Sequence, residues 1–479
     1  MVIAADRSRN GLWAQDHRNF TIGMVLLVTL VAFEAMGLAT ALPTMVHELH
    51  GEVWYSWPFT VFLAASVIAT VLAGRVADRR GPAAPVMAGL AVFVLGLLVA
   101  GLAGDMPTLL VARALQGLAS GSQSVGLLVL IAVVYPKEVQ PAAFGAISSA
   151  WVVPALIGPT VAGLVTQYVT WRWLFLGLAP LVALGAVLVA PTVWRCAARA
   201  GSAPGGRGLT PAAVGAACGV VAVSWAVQNP SPLSVGLGAA AIVVAAASLR
   251  VLLPVGTLRG RPGLPVVVLA RGLLAGTFFG AQSLVPLLLS AVHHYSPATA
   301  GLPLTVGSLG WTAGAVWQAR KRELSREKLI LAGLLLVATA VAGLVLVAPS
   351  WGPHWLVFLL WGVGGVGMGM GVASTSTRVL ALSPAAERGF NSAALQISDM
   401  LGQAALVGLG GGFVAVLGST RAPTPGVVPF AVFLAVLAVV GASLVFRSSR
   451  TTALRSGGLP AASAPAKPAN TGHGESAPT

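Results

Sequence analysis

Between Phe20 and Phe446 the chain alternates long apolar runs with short polar gaps, about fourteen runs in all. Each run is long enough for a helix rising ~1.5 Å per residue to cross a hydrocarbon core of ~30 Å. The runs cover 20–43, 54–77, 83–103, 107–134, 141–167, 172–194, 210–228, 231–249, 264–290, 297–317, 327–348, 354–382, 390–418 and 426–446. This pattern predicts an all-α membrane protein with fourteen spans.

The 28 Lys and Arg fall mostly in alternate gaps. Arg7, Arg9 and Arg18 precede span one, and Arg75, Arg79 and Arg80 cluster after span two. Lys137, then Arg195, Arg199 and Arg207, then Arg250, Arg259 and Arg261 fill later even-numbered gaps. The densest group is Arg320, Lys321, Arg322, Arg326 and Lys328, after span ten. Odd-numbered gaps keep Arg172 and Arg421. Basic residues concentrate in cytoplasmic loops of membrane proteins, so both termini are expected in the cytoplasm of a multi-pass plasma (inner) membrane protein.

The gaps also divide the chain. Residues 1–19 read as a cytoplasmic tail, 20–194 as a six-helix bundle, 195–263 as linkers around an accessory helix pair at 210–249, and 264–446 as a second six-helix bundle. Residues 447–479 are rich in Ser, Ala, Pro and Thr without apolar periodicity, so they read as a disordered cytoplasmic tail. Span one is expected to act as its own uncleaved insertion signal.

Composition agrees: 56% apolar and 9% charged residues are too apolar for a soluble globule of 479 residues. The net charge of +15 lies in short inner loops facing an anionic leaflet, so it does not argue for nucleic-acid binding. Cys196 and Cys218 form no external bridge on this topology. No Gly-Lys dipeptide exists, so no Walker-type nucleotide loop is present. His47-Glu48-Leu49-His50 is one residue short of the zinc-binding HExxH spacing, and Thr305-Val306-Gly307-Ser308 lacks the re-entrant loop of a potassium filter. His293-His294 reads as a surface turn. No cofactor, resident metal or enzymatic chemistry is indicated.

Ionisable residues inside spans cost roughly 2.5–3.5 kcal/mol each at a helix centre, so they need a cause. Glu34 lies about 21 Å along span one from Phe20. Arg113 is in the outer part of span four, and Asp399 is in the inner part of span thirteen. Arg113, Gln116, Gly117, Ser120 and Ser124 share one arc with Gln123 at its edge, and Ser392, Gln396, Asp399 and Gln403 form a stripe. Two polar stripes on apolar helices predict either a solvated central cavity or a buried Glu34–Arg113 pair that only sets packing register. Apolar and polar cavity candidates are Gln116, Ser120, Phe278, Phe279, Gln282, Trp311, Met368, Met370 and Gln396. Gly272, Gly276 and Gly280, and the glycines of span twelve from Gly362 to Gly371, read as packing ridges or as surfaces for a moving helix.

Several stretches carry a family likeness. Gly74-Arg75-Val76-Ala77-Asp78-Arg79-Arg80-Gly81 resembles the loop signature of the major facilitator superfamily, with Pro82, Ala83 and Ala84 where basic residues usually follow. Arg113-Ala114-Leu115-Gln116-Gly117 is similar to its span-four motif, and Gly158-Pro159-Thr160-Val161-Ala162-Gly163 to the antiporter motif of span five. Trp171-Arg172-Trp173-Leu174-Phe175 resembles the run opening span six in the fourteen-span drug–proton antiporter branch, in which an aspartate usually stands where Glu34 does. The resemblance implies two six-helix bundles rocking about a midplane site, with Gly74, Asp78, Arg79, Gly81, Gly158, Pro159 and Gly163 in gating motifs. It implies proton-coupled efflux of amphiphilic drugs by a monomer, with Glu34, Arg113 and Asp399 in proton coupling. Its partners are then a small-molecule substrate, protons and the lipid bilayer. A proton symporter, an exporter of one endogenous metabolite or lipid, and a receptor or scaffold without transport remain as alternatives.

Overall fold

The computed structural model describes residues 12–196, 208–321, 323–384 and 387–457, and these are helical without strands. In chain order the helices of the first part are α1 (Gln15–Glu48), α2 (Trp57–Arg80), α3 (Ala83–Gly101), α4 (Met106–Val134), α5 (Gln140–Ala150), α6 (Val152–Tyr168), α7 (Trp173–Leu176) and α8 (Leu178–Arg195). Next come α9 (Leu209–Gln228) and α10 (Pro232–Leu252). The remainder are α11 (Leu264–Gln282), α12 (Val285–His293), α13 (Pro297–Ala300), α14 (Leu302–Arg320), α15 (Arg326–Val347), α16 (Leu356–Leu382), α17 (Arg388–Leu417) and α18 (Thr424–Gly457). Thirteen helical stretches among the described residues are long and apolar enough to cross a membrane. Helix α14, the tenth predicted span, is long enough but is not among them, because Thr305, Ser308, Thr312 and Gln318 dilute it.

Four predicted spans are broken helices. Span five is interrupted at Trp151, span six at Gly177, span nine at Ser283 and Leu284, and span ten at Gly301. Pro286 sits in the first turn of α12, where its missing N–H costs no helical bond. The predicted ends also move. Helix α1 begins at Gln15, and α18 continues past Phe446 to Gly457. Nothing from Arg447 to Ser456 breaks a helix, and the Arg450 guanidinium lies 4.4 Å over the Phe446 ring. The tail expected from 447 is therefore helical in its first part. Residues 1–11, most of the first linker (197–207) and the tail from 458 lie outside the described residues.

Helices α1–α8 pack mainly on one another, α2 on α4, α4 on α3, and α1 on α6 and α8. In the second bundle α16 packs on α14 and α15, α11 on α17, and α15 on α18. The bundles meet along two seams, α2 with α17 and α6 with α13 and α14. The predicted glycine ridges serve close helix packing. A Cβ on Gly276 would stand 2.6 Å from the Gly402 carbonyl, and one on Gly367 equally close to the Gly333 carbonyl.

The two ends of the molecule differ. At the end away from the basic gaps, the far end, Tyr55 Oη donates to the Ser283 carbonyl at 3.0 Å across the bundles. A Cβ on Gly301 would meet Thr40 at 2.7 Å and Pro159 at 3.2 Å. At the basic end a Cβ on Gly74, Gly145 or Gly389 would meet nothing within 4 Å. The two bundles are held together at the far end by these contacts.

Candidate functional site

A cavity of about 550 Å³ lies between the bundles, beneath the far-end seal and reaching toward the basic end. Its walls come from α1, α2, α4, α5 and the Trp151 break on one side, and from α11, α14 and α17 on the other. Aromatic and aliphatic groups dominate, among them Phe59, Phe62, Trp151, Phe279, Trp311 and Met400. Polar groups converge from both bundles: Arg113, Ser120, Gln123 and Ser124 from α4, and Gln282, Ser283, Gln396, Asp399 and Gln403 opposite. A mostly apolar concavity with a few placed polar groups is the usual form of a small-molecule site.

Behind the α4 wall sits the pair foreseen from the sequence. Arg113 NH1 donates to Glu34 Oε1, and both side chains are almost wholly buried. The guanidinium is fixed on three further sides. Nε donates to the Pro58 carbonyl at 3.1 Å, NH1 to Gln116 Oε1 at 2.7 Å, and the Phe62 ring lies 4.3 Å beneath it. The second carboxylate oxygen of Glu34 and the amide nitrogen of Gln116 have no hydrogen-bond partner among the described residues. A buried charge pair with an open acceptor is costly to keep for packing alone. Arg113 borders the cavity, whereas Glu34 is sealed behind it.

A second pair stands at the opposite wall, which Asp399 lines and Arg271 backs. Arg271 Nε donates to Asp399 Oδ1 at 2.8 Å, and Gln403 Nε2 donates to Asp399 Oδ2 at 3.3 Å. Arg271 is a residue the sequence reading passed over. It stands inside span nine, one position before the Gly272 ridge, as anomalous there as Arg113 is in span four. Arg378, likewise within a span, pairs with Glu327 at 2.6 Å.

Of the predicted cavity residues, Ser120, Phe279, Gln282, Trp311 and Gln396 line it. Gln116 does not; it is fully buried against Arg113. Phe278 is also a correction. It turns into the core, with ring centroids 5.9 Å from Trp361 and 6.4 Å from Trp311. Met368 and Met370 are buried away from the cavity.

The motif residues distribute unevenly. Gly81 takes φ of 80°, a positive value that suits glycine, and closes α2 with its N–H on the Ala77 carbonyl at 2.9 Å. Asp78 and Arg79 are exposed, and α3 has no side-chain cap, so Asp78 does not cap it. Gly163 does meet the other bundle, since a Cβ there would collide with Ala298 and lie 2.7 Å from the Pro297 carbonyl. Gly158 instead faces Met36 and Phe33 of its own bundle. Trp171 is buried and donates to Glu48 Oε2 at 2.7 Å, and Arg172 NH1 reaches the same oxygen at 3.2 Å. Arg421 pairs with Glu52 at 3.2 Å, so both basic residues of the odd-numbered gaps have acidic partners. Thr305–Ser308 is ordinary helix within α14, and His293 bonds the Val347 carbonyl.

The sequence profile of the Major Facilitator Superfamily matches residues 24–377. An uncharacterised MFS-type transporter of Mycobacterium tuberculosis (strain H37Rv), Rv1877, is 29% identical over 382 residues, covering 76% of this chain and 55% of the relative. The chain thus spans just over half the length of that protein. A probable multidrug-efflux transporter of the same strain, Rv1634, is 27% identical over 430 residues, with 84% of this chain and 90% of the relative covered. The multidrug efflux pump SdrM of Staphylococcus aureus (strain N315) is 28% identical over 173 residues, 35% of this chain and 38% of the pump. Among solved structures, a POT family transporter in complex with 5-aminolevulinic acid superposes with a TM-score of 0.69 at 15% identity, covering 92% of this chain and 98% of that one. That likeness is one of fold.

Proposed function

We propose that this chain, which belongs to the major facilitator superfamily, exports amphiphilic compounds in exchange for protons. The observation that carries the reading is the Glu34–Arg113 pair, buried at the cavity wall with one carboxylate oxygen unpartnered. A carboxylate held by a guanidinium beside a cavity that opens and closes is a group that can exchange a proton with the transport cycle. The largely apolar, aromatic-lined cavity suits an amphiphile. Support for export comes from the antiporter motif, whose Gly163 lies in the far-end seal, and from relatives named for multidrug efflux.

On this reading the protein lies in the plasma membrane with both termini in the cytoplasm, and the cavity is open to the cytoplasm. Substrate enters there. Rocking of the bundles presents it outside, where protonation of Glu34 favours its release; deprotonation on the inner side resets the pair. A potential of about 100 mV supplies ~2.3 kcal/mol per charge moved, enough for a gradient of about fiftyfold per proton.

The test is a drug-susceptibility panel in an efflux-deficient host, followed by transport of the compounds found into acid-loaded vesicles. Proton-coupled export predicts resistance with wild type, none with Glu34→Gln, and vesicles whose lumen alkalinises as compound enters. Substrate and protons moving in the same direction would identify a symporter, and no coupled movement would sink the proposal.

A further inference from the structure

We infer that accessory helix α9 is a working part of the far-end gate, fastening the two bundles together there, with Gln228 as its positioning residue. The inference rests on the two bundles moving against one another, and is independent of proton coupling at Glu34.

Helix α9 lies on the seam between α2 and α17 and packs on both. Its far-end turn binds the first bundle through one side chain. Gln228 Oε1 accepts from Trp57 Nε1 at 2.7 Å, and Gln228 Nε2 donates to Ser56 Oγ at 3.4 Å. The same end of the helix presses into the second bundle at two glycines of α17, one helical turn apart. A Cβ on Gly412 would stand 2.5 Å from Val227 Cγ1, and one on Gly408 would collide with the buried Ser224 hydroxyl. Alongside, α2 and α17 touch directly, because Gly411 lies against Ser56 and a Gly408 Cβ would be 3.2 Å from Thr60 Oγ1. Three helices therefore share one joint, and only hydrogen atoms at the α17 positions let them meet.

Opening the far end requires α17 to leave α2. With α9 seated on both, that separation strips α9 from one of them: either the Gln228 amide loses its partners in an apolar setting, or Val227 and Ser224, whose hydroxyl keeps the Val220 carbonyl at 2.9 Å, lose the glycines they pack on. At the basic end α9 is tied to the first bundle, where Arg75 NH1 donates to Thr210 Oγ1 at 2.6 Å. The accessory pair thus travels with the first bundle, and its far-end turn acts as a catch for the second. It weights the cycle toward the form closed at the far end.

The experiment measures the distance between spin labels on Val53→Cys and Ala422→Cys, in a Cys196→Ser, Cys218→Ser background, with the full chain in lipid nanodiscs. Both label sites are exposed at the far end, one in each bundle. Gln228→Leu keeps the volume but removes both bonds, and is expected to raise the long-distance fraction roughly threefold or more. Trp57→Phe removes the donor from the other side and is expected to do the same, so it carries the test if Gln228→Leu does not yield folded protein. Thr210→Val, at the basic end of the same helix, is expected to leave the distribution unchanged. Unchanged distances with both far-end variants would overturn the inference. So would an equal shift with Thr210→Val, which would mean that any loosening of the accessory pair has the same effect.

Discussion

Arg271 Nε donates to Asp399 Oδ1 at 2.8 Å while its NH1 is held from behind by α16, on the Val372 carbonyl at 3.0 Å and Thr375 Oγ1 at 3.3 Å. The two partners depend on each other unequally. Without Asp399 the guanidinium keeps its acceptors on α16, whereas without Arg271 the carboxylate keeps only the Gln403 amide.

Arg271→Leu is therefore expected to destabilise the protein more than Asp399→Asn. The cost should be about 2 kcal/mol, below the range for fully sealed pairs, because the two side chains keep 15% and 19% of their surface exposed. Thermal melts of detergent-purified variants read the order directly, and an equal or reversed order would contradict the geometry.

Arg113→Lys keeps the charge but loses the planar fork that serves Glu34, Gln116 and the Pro58 carbonyl together. We expect normal expression and at least a tenfold loss of transport, roughly what a displaced coupling group costs. Export within a factor of two of wild type would show that only the charge matters.

Gly163→Leu places a side chain against the main chain at Ala298 and Pro297, which cannot retreat as a flexible side chain would. The variant should insert normally, fail to close the far end and lose transport. Gly158→Leu, facing Met36 and Phe33, should also impair export, but through the first bundle's own packing. Labelling of a far-end cysteine should rise with the first substitution alone.

Asp105 caps α4, its Oδ1 accepting from the Thr108 N–H at 2.8 Å, and that bond holds its carboxyl below the usual range. A lowered folded-state value means a contribution present above the unfolded carboxylate range and lost as pH falls through the folded one. The melting-temperature difference between wild type and Asp105→Ala should accordingly be small near neutrality and vanish in acid. A difference independent of pH would assign the effect to helix propensity.

Topology has its own check. Cys218, mid-helix in α9, should resist membrane-impermeant thiol reagents applied to cells, whereas a cysteine at Ala422 should react. Labelling of a tag placed after Arg450 in intact cells would reverse the orientation proposed here.

Much of the architecture was legible because lipid penalises the same thing everywhere. Apolar runs mark helices, basic gaps mark one side, and Glu34 and Arg113 stand out as charges that need each other. What was not legible was azimuth. Phe278 and Phe279 are adjacent, so they point about 100° apart, and nothing in the sequence decides which one the helix turns into the cavity. Gln116 shares an arc with Arg113 and Ser120, yet the arc is wide enough for one member to sit behind another. Arg271 was as legible as Arg113, since both stand a similar distance inside an apolar run, but only the fold shows that Asp399 is its partner.

The far-end seal is built from Gly163, Gly301, Gly408 and Gly411 laid against main chain, proline and short hydroxyl groups. Such a contact measures shape and is blind to acidity, salt and the identity of the cargo. The Glu34–Arg113 and Arg271–Asp399 pairs and the amides of the cavity wall lie on the cavity side, whereas at the far end the bundles share the exposed Arg421–Glu52 pair and the Tyr55–Ser283 bond besides those glycines and the α9 turn. On the transport reading proposed above, what the cavity binds reaches those glycine contacts as displacement of whole helices, and one added methyl group among them is expected to shift the posture in which the molecule rests.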